Sequence, residues 1–190
     1  MILVDEDDDR RTPVGLVPVD GRGSMPFALL HGESLVAVAS WALGEAGVDL
    51  LDFTASWEDV QAREAALVVH DPLCPGTPVT FLAEALRAAE RGSAVVVVGV
   101  RPVTDTVRQA DAQGVLGAAV DRADLVAVVS PVVIPAVVVA ALPRLPATDD
   151  LADLVAALRE HHEVVFLEAP PSARRVSDDS DLRLLEALSG

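Results

Sequence analysis

The loop of residues 18–27 holds the first residues of this sequence that could do chemistry. It reads Pro-Val-Asp-Gly-Arg-Gly-Ser-Met-Pro-Phe, with Gly21 and Gly23 on either side of an arginine. A glycine-rich turn after a strand can present backbone N–H groups to a phosphate. The same two glycines could form a simple turn that lets the next helix pack on a sheet. From these residues alone, phosphate binding and a structural turn stay open as alternatives.

Asp71 is the second candidate, because it directly follows an apolar run. A carboxylate before a proline often forms a turn, so a structural role and a role in a site are both open. Nothing in the sequence around the single cysteine, Cys74, would activate its thiol, and we expect a small buried side chain there. His31, His161 and His162 lack acidic or histidine neighbours at the helical spacing that a metal site needs.

The elements that must position these residues alternate between strand and helix. Apolar, β-branched runs predict buried strands at residues 14–19, 65–70, 94–100, 125–129 and 163–167. Helical spacing of apolar residues predicts helices at residues 33–46, 57–64, 78–91, 149–160 and 178–188, with another from about residue 131. Two short extended arms around the Asp-Ala-Gln-Gly turn at residues 111–114 predict a hairpin. We interpret the apolar run of residues 125–142, which contains Pro131 and Pro135, as core rather than as a membrane span.

This alternation predicts an α/β fold with a doubly wound, mostly parallel sheet and a projecting β-hairpin arm at residues 103–129. Ligands of such sheets bind at the carboxyl ends of the strands. The chain length of 190 residues, 51% of them hydrophobic, suits a single domain over residues 13–190. Residues 1–12 include five consecutive acidic side chains, and we expect a disordered tail there.

Charge and cysteine content limit the class of protein. A net charge of −16 argues against nucleic acid as a partner, because phosphate backbones bind to basic surfaces. One cysteine excludes an intramolecular disulfide, and the chain start does not read as a signal peptide. We therefore expect a cytoplasmic protein with no membrane association.

Ordered motifs along the chain resemble those of the methylerythritol phosphate cytidylyltransferases of isoprenoid biosynthesis. The resemblance covers about residues 14–188 and is strongest from residue 65. It implies a Rossmann-like nucleotidyltransferase fold, a sugar-phosphate pocket and a dimer arm. The motifs that carry it are His70-Asp71-Pro72-Leu73-Cys74-Pro75, Val103-Thr104-Asp105-Thr106-Val107-Arg108, Val120-Asp121-Arg122-Ala123-Asp124-Leu125, Ser130-Pro131 and Thr148-Asp149-Asp150.

The resemblance also assigns roles to particular residues. Gly21 and Gly23 would belong to the nucleotide-binding loop, and Asp71 would meet the phosphates and a Mg²⁺ ion if activity remains. Hydroxyl and guanidinium groups that converge on one place suit a phosphomonoester with polyol oxygens, because arginine holds phosphate through two parallel hydrogen bonds. The implied substrate-binding residues are Thr106, Ser130 and Thr148, and the implied catalytic residues are Arg122 and Arg175.

The nucleotide half of the site departs from the family pattern. Val19 and Asp20 stand in place of two alanines, and Phe27 stands in place of a lysine. The loop arginine of the family has no clear counterpart, and residues 50–64 lack the family's segment for the base and ribose. An acidic side chain beside a triphosphate, together with two lost cations, weakens the stabilisation of developing negative charge.

We therefore expect a cytidylyltransferase-like protein that keeps a sugar-phosphate pocket but has a degenerate CTP site and impaired or no catalysis. One alternative is an active enzyme that converts CTP and methylerythritol phosphate into CDP-methylerythritol and pyrophosphate with Mg²⁺. The other is a regulatory or structural dimer that binds no small molecule. The expected partners are a second copy of the chain, joined through the arm so that Arg122 enters the partner's pocket, and a small anionic sugar phosphate or nucleotide.

Overall fold

A six-stranded mixed sheet forms the centre of the computed structural model, which describes residues 11–52, 54–92, 94–104, 107–110 and 113–189. The expected tail lies almost wholly outside the described residues. In chain order the strands are β1 (Val14–Leu16), β2 (Leu29–Leu30), β3 (Glu33–Ser34), β4 (Asp49–Leu50), β5 (Leu67–Val69), β6 (Val96–Pro102), β7 (Val107–Ala110), β8 (Leu116–Val120), β9 (Val126–Ile134) and β10 (Val164–Glu168). The helices are α1 (Leu35–Glu45), α2 (Trp57–Ala62), α3 (Val79–Arg91), α4 (Ala136–Ala141), α5 (Leu151–Arg159) and α6 (Asp179–Ser189).

The order of strands in the sheet is β10-β6-β9-β5-β1-β4. Only β9 pairs in the antiparallel sense with its neighbours β6 and β5, while the other described pairs of this sheet are parallel. The carboxyl ends of β1 and β5 are therefore adjacent at one edge of the sheet. The prediction of a mostly parallel α/β sheet is confirmed.

Helices cover both faces of the sheet. On one face α1 and α3 pack against Val68, Val97 and Val133, and on the other α2, α4 and α5 pack against Leu67 and Val98. Successive strand residues point to opposite faces, so both faces of the central strands must be apolar to bury both layers. This explains the valine-rich runs and confirms the doubly wound arrangement.

The predicted helix from about residue 131 is wrong, because β9 continues to Ile134 and α4 begins only at Ala136. Residues 132–134 are β-branched and pair with β5 through the register Val69↔Val132 to Leu67↔Ile134. A sheet register shift lies between Val98 and Gly99, opposite Ser130. A Cβ atom at Gly99 would lie 2.6 Å from the Ser130 carbonyl oxygen, so only glycine permits this close approach.

No helix in the described residues is long and apolar enough to span a membrane.

The arm predicted at residues 103–129 contains the hairpin of β7 and β8, whose register includes Val107↔Val120 and Arg108↔Ala119. Val115, between these strands, is 63% exposed, and Val126 at the start of β9 is 46% exposed. The arm therefore presents apolar side chains to solvent in a single copy of the chain.

Some local predictions need correction. Threonine is a favourable N-cap residue, which predicts that Thr148 caps the helix after it, but the N-cap of α5 is Asp150, since its carboxylate accepts a hydrogen bond from Ala152 N at 2.6 Å. The size and apolar character of tryptophan predict that Trp41 and Trp57 lie in the core, but only Trp57 packs against it, with Nε1 donating to Leu142 O. Trp41 is 63% exposed, because it lies outside the apolar stripe that α1 turns toward the sheet.

Candidate functional site

A cluster of one carboxylate and two guanidinium groups lies at the carboxyl edge of the sheet. Asp71 follows β5, and the loop that contains Arg22 follows the adjacent parallel strand β1. Arg175 comes from the segment before α6. These positions bring together three chain segments at the edge where doubly wound sheets bind their ligands.

Arg22 and Asp71 form a buried ion pair. Arg22 Nε donates to Asp71 Oδ1 at 2.8 Å, and Nη2 lies 3.4 Å from Oδ2. The two side chains are 0% and 1% exposed. Arg22 also donates from Nη1 to Asp20 O at 2.7 Å and from Nη2 to Thr148 O at 2.8 Å. Arg22 thus joins its own loop to the segment before α5, and its guanidinium makes four hydrogen bonds within the protein.

Arg175 approaches the same carboxylate from the solvent side. Its Nε donates to Asp71 Oδ2 at 3.2 Å, and its side chain is 38% exposed. Among the described residues none accepts a hydrogen bond from its Nη1 or Nη2. A guanidinium held through Nε with its two terminal amino groups facing water is the geometry that takes a phosphate through two bonds.

The backbone around Asp71 is held by further hydrogen bonds. Asp71 N donates to Ser130 Oγ at 2.6 Å, and Leu73 N donates to Asp71 Oδ1 at 2.9 Å. Ser130 is fully buried at the bulge in β9. Ser130, which the resemblance assigns to substrate binding, therefore holds the backbone of Asp71 in place through its buried hydroxyl group.

Two neighbours of Asp71 are buried titratable groups. His70 is 1% exposed, and neither ring nitrogen has a hydrogen-bond partner among the described residues. Burial lowers the pKa of His70 to about 4, although the nearby Asp71 charge acts in the opposite direction. Burial also raises the pKa of the Cys74 thiol to about 12, and the Asp71 carboxylate adds to this effect. The prediction of a buried cysteine is confirmed, and its thiol stays protonated at neutral pH.

Glycine is favoured at the two loop positions, Gly21 and Gly23, for different structural reasons. Gly21 has φ of +74°, and a Cβ atom there would lie 2.7 Å from Asp149 Cβ. Gly23 has φ of +58°, but an added Cβ would meet no described atom within 4 Å. Gly21 lets the loop pack on the segment before α5, whereas Gly23 only supplies a left-handed backbone conformation.

We expect Gly21→Ala to lower the free energy of unfolding by about 2–3 kcal/mol, because it adds a steric clash to left-handed strain. Gly23→Ala is the matched control and should lower it by about 1 kcal/mol, from strain alone. Guanidinium denaturation of both variants measures the difference. Equal losses would show that the loop does not pack on Asp149 as described.

The predicted site residues divide into two groups. Asp71, Ser130, Arg175 and the carbonyl of Thr148 are joined by the hydrogen bonds given above, and Gly21 borders them. Arg122 lies apart on the arm, exposed, with Nη1 donating to Thr104 O at 3.0 Å. Thr106 lies outside the described residues. Within one chain, therefore, Asp71 lies together with Ser130 and Arg175, whereas Arg122 does not reach this cluster.

Arg22 is the residue that sequence reasoning missed. The resemblance gives the family's loop arginine no clear counterpart here, and so it does not single out Arg22. Its position between two glycines held a signal, because a loop at the end of β1 must lie beside the carboxylate that ends the adjacent strand β5. A buried arginine needs such a partner.

A cavity of about 420 Å³ adjoins the cluster at the ends of β1 and β4. Its lining is mostly apolar and includes Val19, Asp20, Asp52, Trp57, Arg144 and Thr148. Two carboxylates and one arginine give this cavity lining a net negative charge, which is unfavourable for a triphosphate, in agreement with the departure at residues 19 and 20.

The Asp71 carboxylate does not fit a Mg²⁺ site. Magnesium binds oxygen ligands and keeps several of its waters, which requires an accessible oxygen. Both Asp71 oxygens already accept hydrogen bonds from guanidinium groups, and its side chain is 1% exposed. The described residues also contain no group of three or more His, Cys, Asp or Glu side chains that could hold a metal ion.

Comparison with solved structures identifies the fold. The chain is similar to 2-C-methyl-D-erythritol 4-phosphate cytidylyltransferase from Thermus thermophilus, with a TM-score of 0.67 and 24% identity over 93% of this chain and 98% of that chain. A 4-diphosphocytidyl-2C-methyl-D-erythritol synthase gives a TM-score of 0.68 at 15% identity, covering 95% of this chain and 100% of that chain. The corresponding synthase from Anaerococcus prevotii gives 0.64 at 11%, covering 93% and 95%. No protein-family model matches the sequence. At these identities the likeness establishes the architecture, and the chain therefore has the nucleotidyltransferase fold of the methylerythritol phosphate cytidylyltransferase structures.

Proposed function

We propose that this protein is a cytidylyltransferase-like member of the methylerythritol phosphate cytidylyltransferase family of isoprenoid biosynthesis. It binds a small phosphorylated polyol but transfers no cytidylyl group at an ordinary rate. The observation that carries the proposal is the half-exposed Arg175 fork, held by Asp71 at the ligand edge of the sheet. A phosphomonoester is the ligand class that such a fork recognises. We also propose a cytoplasmic location, which suits a chain with a single cysteine.

The loop after β1 supports the proposed loss of transfer activity. Arg22 is the only basic residue of the loop, and its side chain is 0% exposed and bonded to Asp71 and two carbonyls. Asp20 lies exposed in the same loop. A triphosphate bound there would meet a carboxylate instead of a cation, and the transition state would lack a donor of the kind whose loss reduces rates about a hundredfold to a thousandfold.

A thermal-shift panel with CTP, methylerythritol phosphate and glycerol 3-phosphate, followed by a pyrophosphate-release assay, tests the proposal. A ligand that binds only the native state raises the midpoint of unfolding. We expect a rise with the sugar phosphates and no pyrophosphate release from CTP and methylerythritol phosphate. Release at a typical enzyme rate of about 1–10 per second would establish the active enzyme instead, and no midpoint shift with any compound would favour a purely structural dimer.

Replacement of Arg175 should weaken sugar-phosphate binding. Charge-assisted hydrogen bonds contribute about 1.5–3 kcal/mol each, so Arg175→Ala should lower affinity about tenfold or more. Arg91, an exposed arginine at the end of α3, provides the control, and Arg91→Ala should leave affinity unchanged. Calorimetry at two salt concentrations would measure both, with weaker binding at higher salt. Equal affinities for the two variants would exclude Arg175 from the site.

We further propose a homodimer formed through the arm, which would bring Arg122 of one copy to the pocket of the other. The exposed Val115 and Val126 are the support. Light scattering at micromolar concentration should give a dimer, and Val115→Asp with Val126→Asp should give a monomer. Val137→Asp is the matched control, since Val137 is 54% exposed but lies on α4. A monomeric wild-type protein, or a dimer that survives deletion of residues 109–117, would contradict this interface.

A further inference from the structure

The charge around Asp71 is the reverse of what a divalent cation needs. Oδ1 accepts from Arg22 Nε and Leu73 N, and Oδ2 accepts from Arg175 Nε and, at 3.4 Å, from Arg22 Nη2. Two guanidinium groups thus contact a single carboxylate, and these three side chains together carry one positive charge. A dication at this carboxylate would be repelled by both arginines and would have to displace at least one of them.

The two arginines have different exposure, and this separates their roles. Arg22 has a side-chain exposure of 0% and four hydrogen bonds within the protein, so it cannot contact a ligand. Arg175 is 38% exposed and is held only through Nε within the described part of the chain. Asp71 connects the two, because its carboxylate binds the buried guanidinium through both oxygens and the exposed one through Oδ2.

We propose that this chain binds its phosphorylated ligand without a divalent cation, with Arg175 as the charge that meets the phosphate and Asp71 as a positioning residue that orients it. Arg22 replaces a metal ion as the counter-charge of Asp71. The proposal rests on the proposed function for its ligand, but its statement about the metal stands separately. It predicts a site that functions in the presence of a chelator.

The first experiment uses the wild-type protein in two measurements. Calorimetry with methylerythritol phosphate and with inorganic phosphate, in EDTA and in millimolar Mg²⁺, should give affinities within about twofold of each other, because no magnesium ion takes part in binding. Mn²⁺ titration followed by amide NMR should broaden the Leu73 and Ser130 signals no more than that of Val97, which is buried in the sheet core. Binding that is tighter with Mg²⁺ by about tenfold, equivalent to about 1.4 kcal/mol, or selective broadening at Leu73 and Ser130, would overturn the proposal.

These measurements distinguish failure of this inference from failure of the proposed function. If neither phosphate compound binds, the proposed function is wrong and Arg175 has no ligand to meet. The Mn²⁺ titration still decides whether Asp71 is a metal ligand, because it needs no phosphate compound. Its result can therefore overturn the metal-free assignment on its own.

The positioning role is tested with Asp71→Asn against Asp181→Asn. Asp181 forms an ion pair with Arg174, the residue next to Arg175, and so provides a neighbouring matched control. Asp71→Asn should shift the Arg175 Nε–H signal in NMR. It should also lower phosphate affinity about tenfold, which corresponds to about 1.4 kcal/mol of binding free energy. Asp181→Asn should change neither the signal nor the affinity. An unchanged Arg175 signal in folded Asp71→Asn would contradict the role. If that variant does not fold, the wild-type measurements above decide the inference.

Discussion

Arg22→Met should lower the free energy of unfolding by about 3–5 kcal/mol, the range found when one partner of a buried ion pair is removed. The methionine fills part of the volume but leaves the Asp71 carboxylate with only the half-exposed Arg175 as a counter-charge. It also removes the hydrogen bonds to the carbonyls of Asp20 and Thr148. A loss of this size is a large fraction of the roughly 5–15 kcal/mol that is typical of a folded domain.

Arg11→Met is the control for this prediction. Arg11 forms an ion pair with Glu64 at 2.6 Å, but the two side chains are 54% and 65% exposed. Exposed pairs contribute about 0–1 kcal/mol, so this variant should unfold almost like the wild type. The double variant Arg22→Met with Asp71→Asn should recover part of the loss, because the uncompensated charge is gone. Similar losses in Arg22→Met and Arg11→Met would show that the Asp71 cluster is not buried as described.

His70 should make the protein less stable in acid by about 3 kcal/mol between pH 6.5 and pH 4. Burial lowers its pKa from 6.5 to about 4 in the folded chain. As the pH falls below 6.5, the imidazole is protonated in the unfolded chain but stays neutral in the folded chain until about pH 4. The free energy of unfolding therefore decreases throughout this interval. Well above the ordinary pKa both states hold a neutral imidazole, and the effect vanishes.

His70→Leu isolates this contribution. Denaturation of wild type and variant at a series of pH values should give a difference that moves in favour of the variant as pH falls, while carboxylates shared by both proteins cancel. His161→Gln is the control, because the His161 side chain is exposed to solvent. Parallel pH profiles for wild type and His70→Leu would contradict the assignment of a buried neutral imidazole.

The sequence was sufficient to predict the architecture because burial on both sheet faces imposes long apolar runs. Those runs predicted the strands that carry Asp71 and the loop at residues 18–27, and the resemblance added Ser130, Thr148 and Arg175 to the same edge. The sequence predicts too early an end for β9 because Pro131 breaks its pattern, and the bulge that accommodates Pro131 depends on Gly99, which is distant in sequence.

The chemistry of the cluster could not be predicted in the same way. A carboxylate at the end of β5 suits a metal ligand or an ion-pair partner equally well in sequence. The choice depends on whether a cation from the loop after β1 reaches it, and this requires the positive φ of Gly21 and its close packing on Asp149. Local patterns do not reveal such a long-range contact. The relation of Arg122 to the pocket depends on a second copy of the chain and likewise stays a prediction.

The most direct test of the proposed function is an NMR titration of the arginine Nε–H signals with methylerythritol phosphate. The buried Arg22 signal should stay in place, and the Arg175 signal should shift and saturate with a single dissociation constant. Arg175 is the half-exposed guanidinium at the ligand edge, so a bound phosphate must perturb it. Saturable binding that leaves the Arg175 signal unmoved, or no binding at all, would contradict the proposal that this cluster is a sugar-phosphate site.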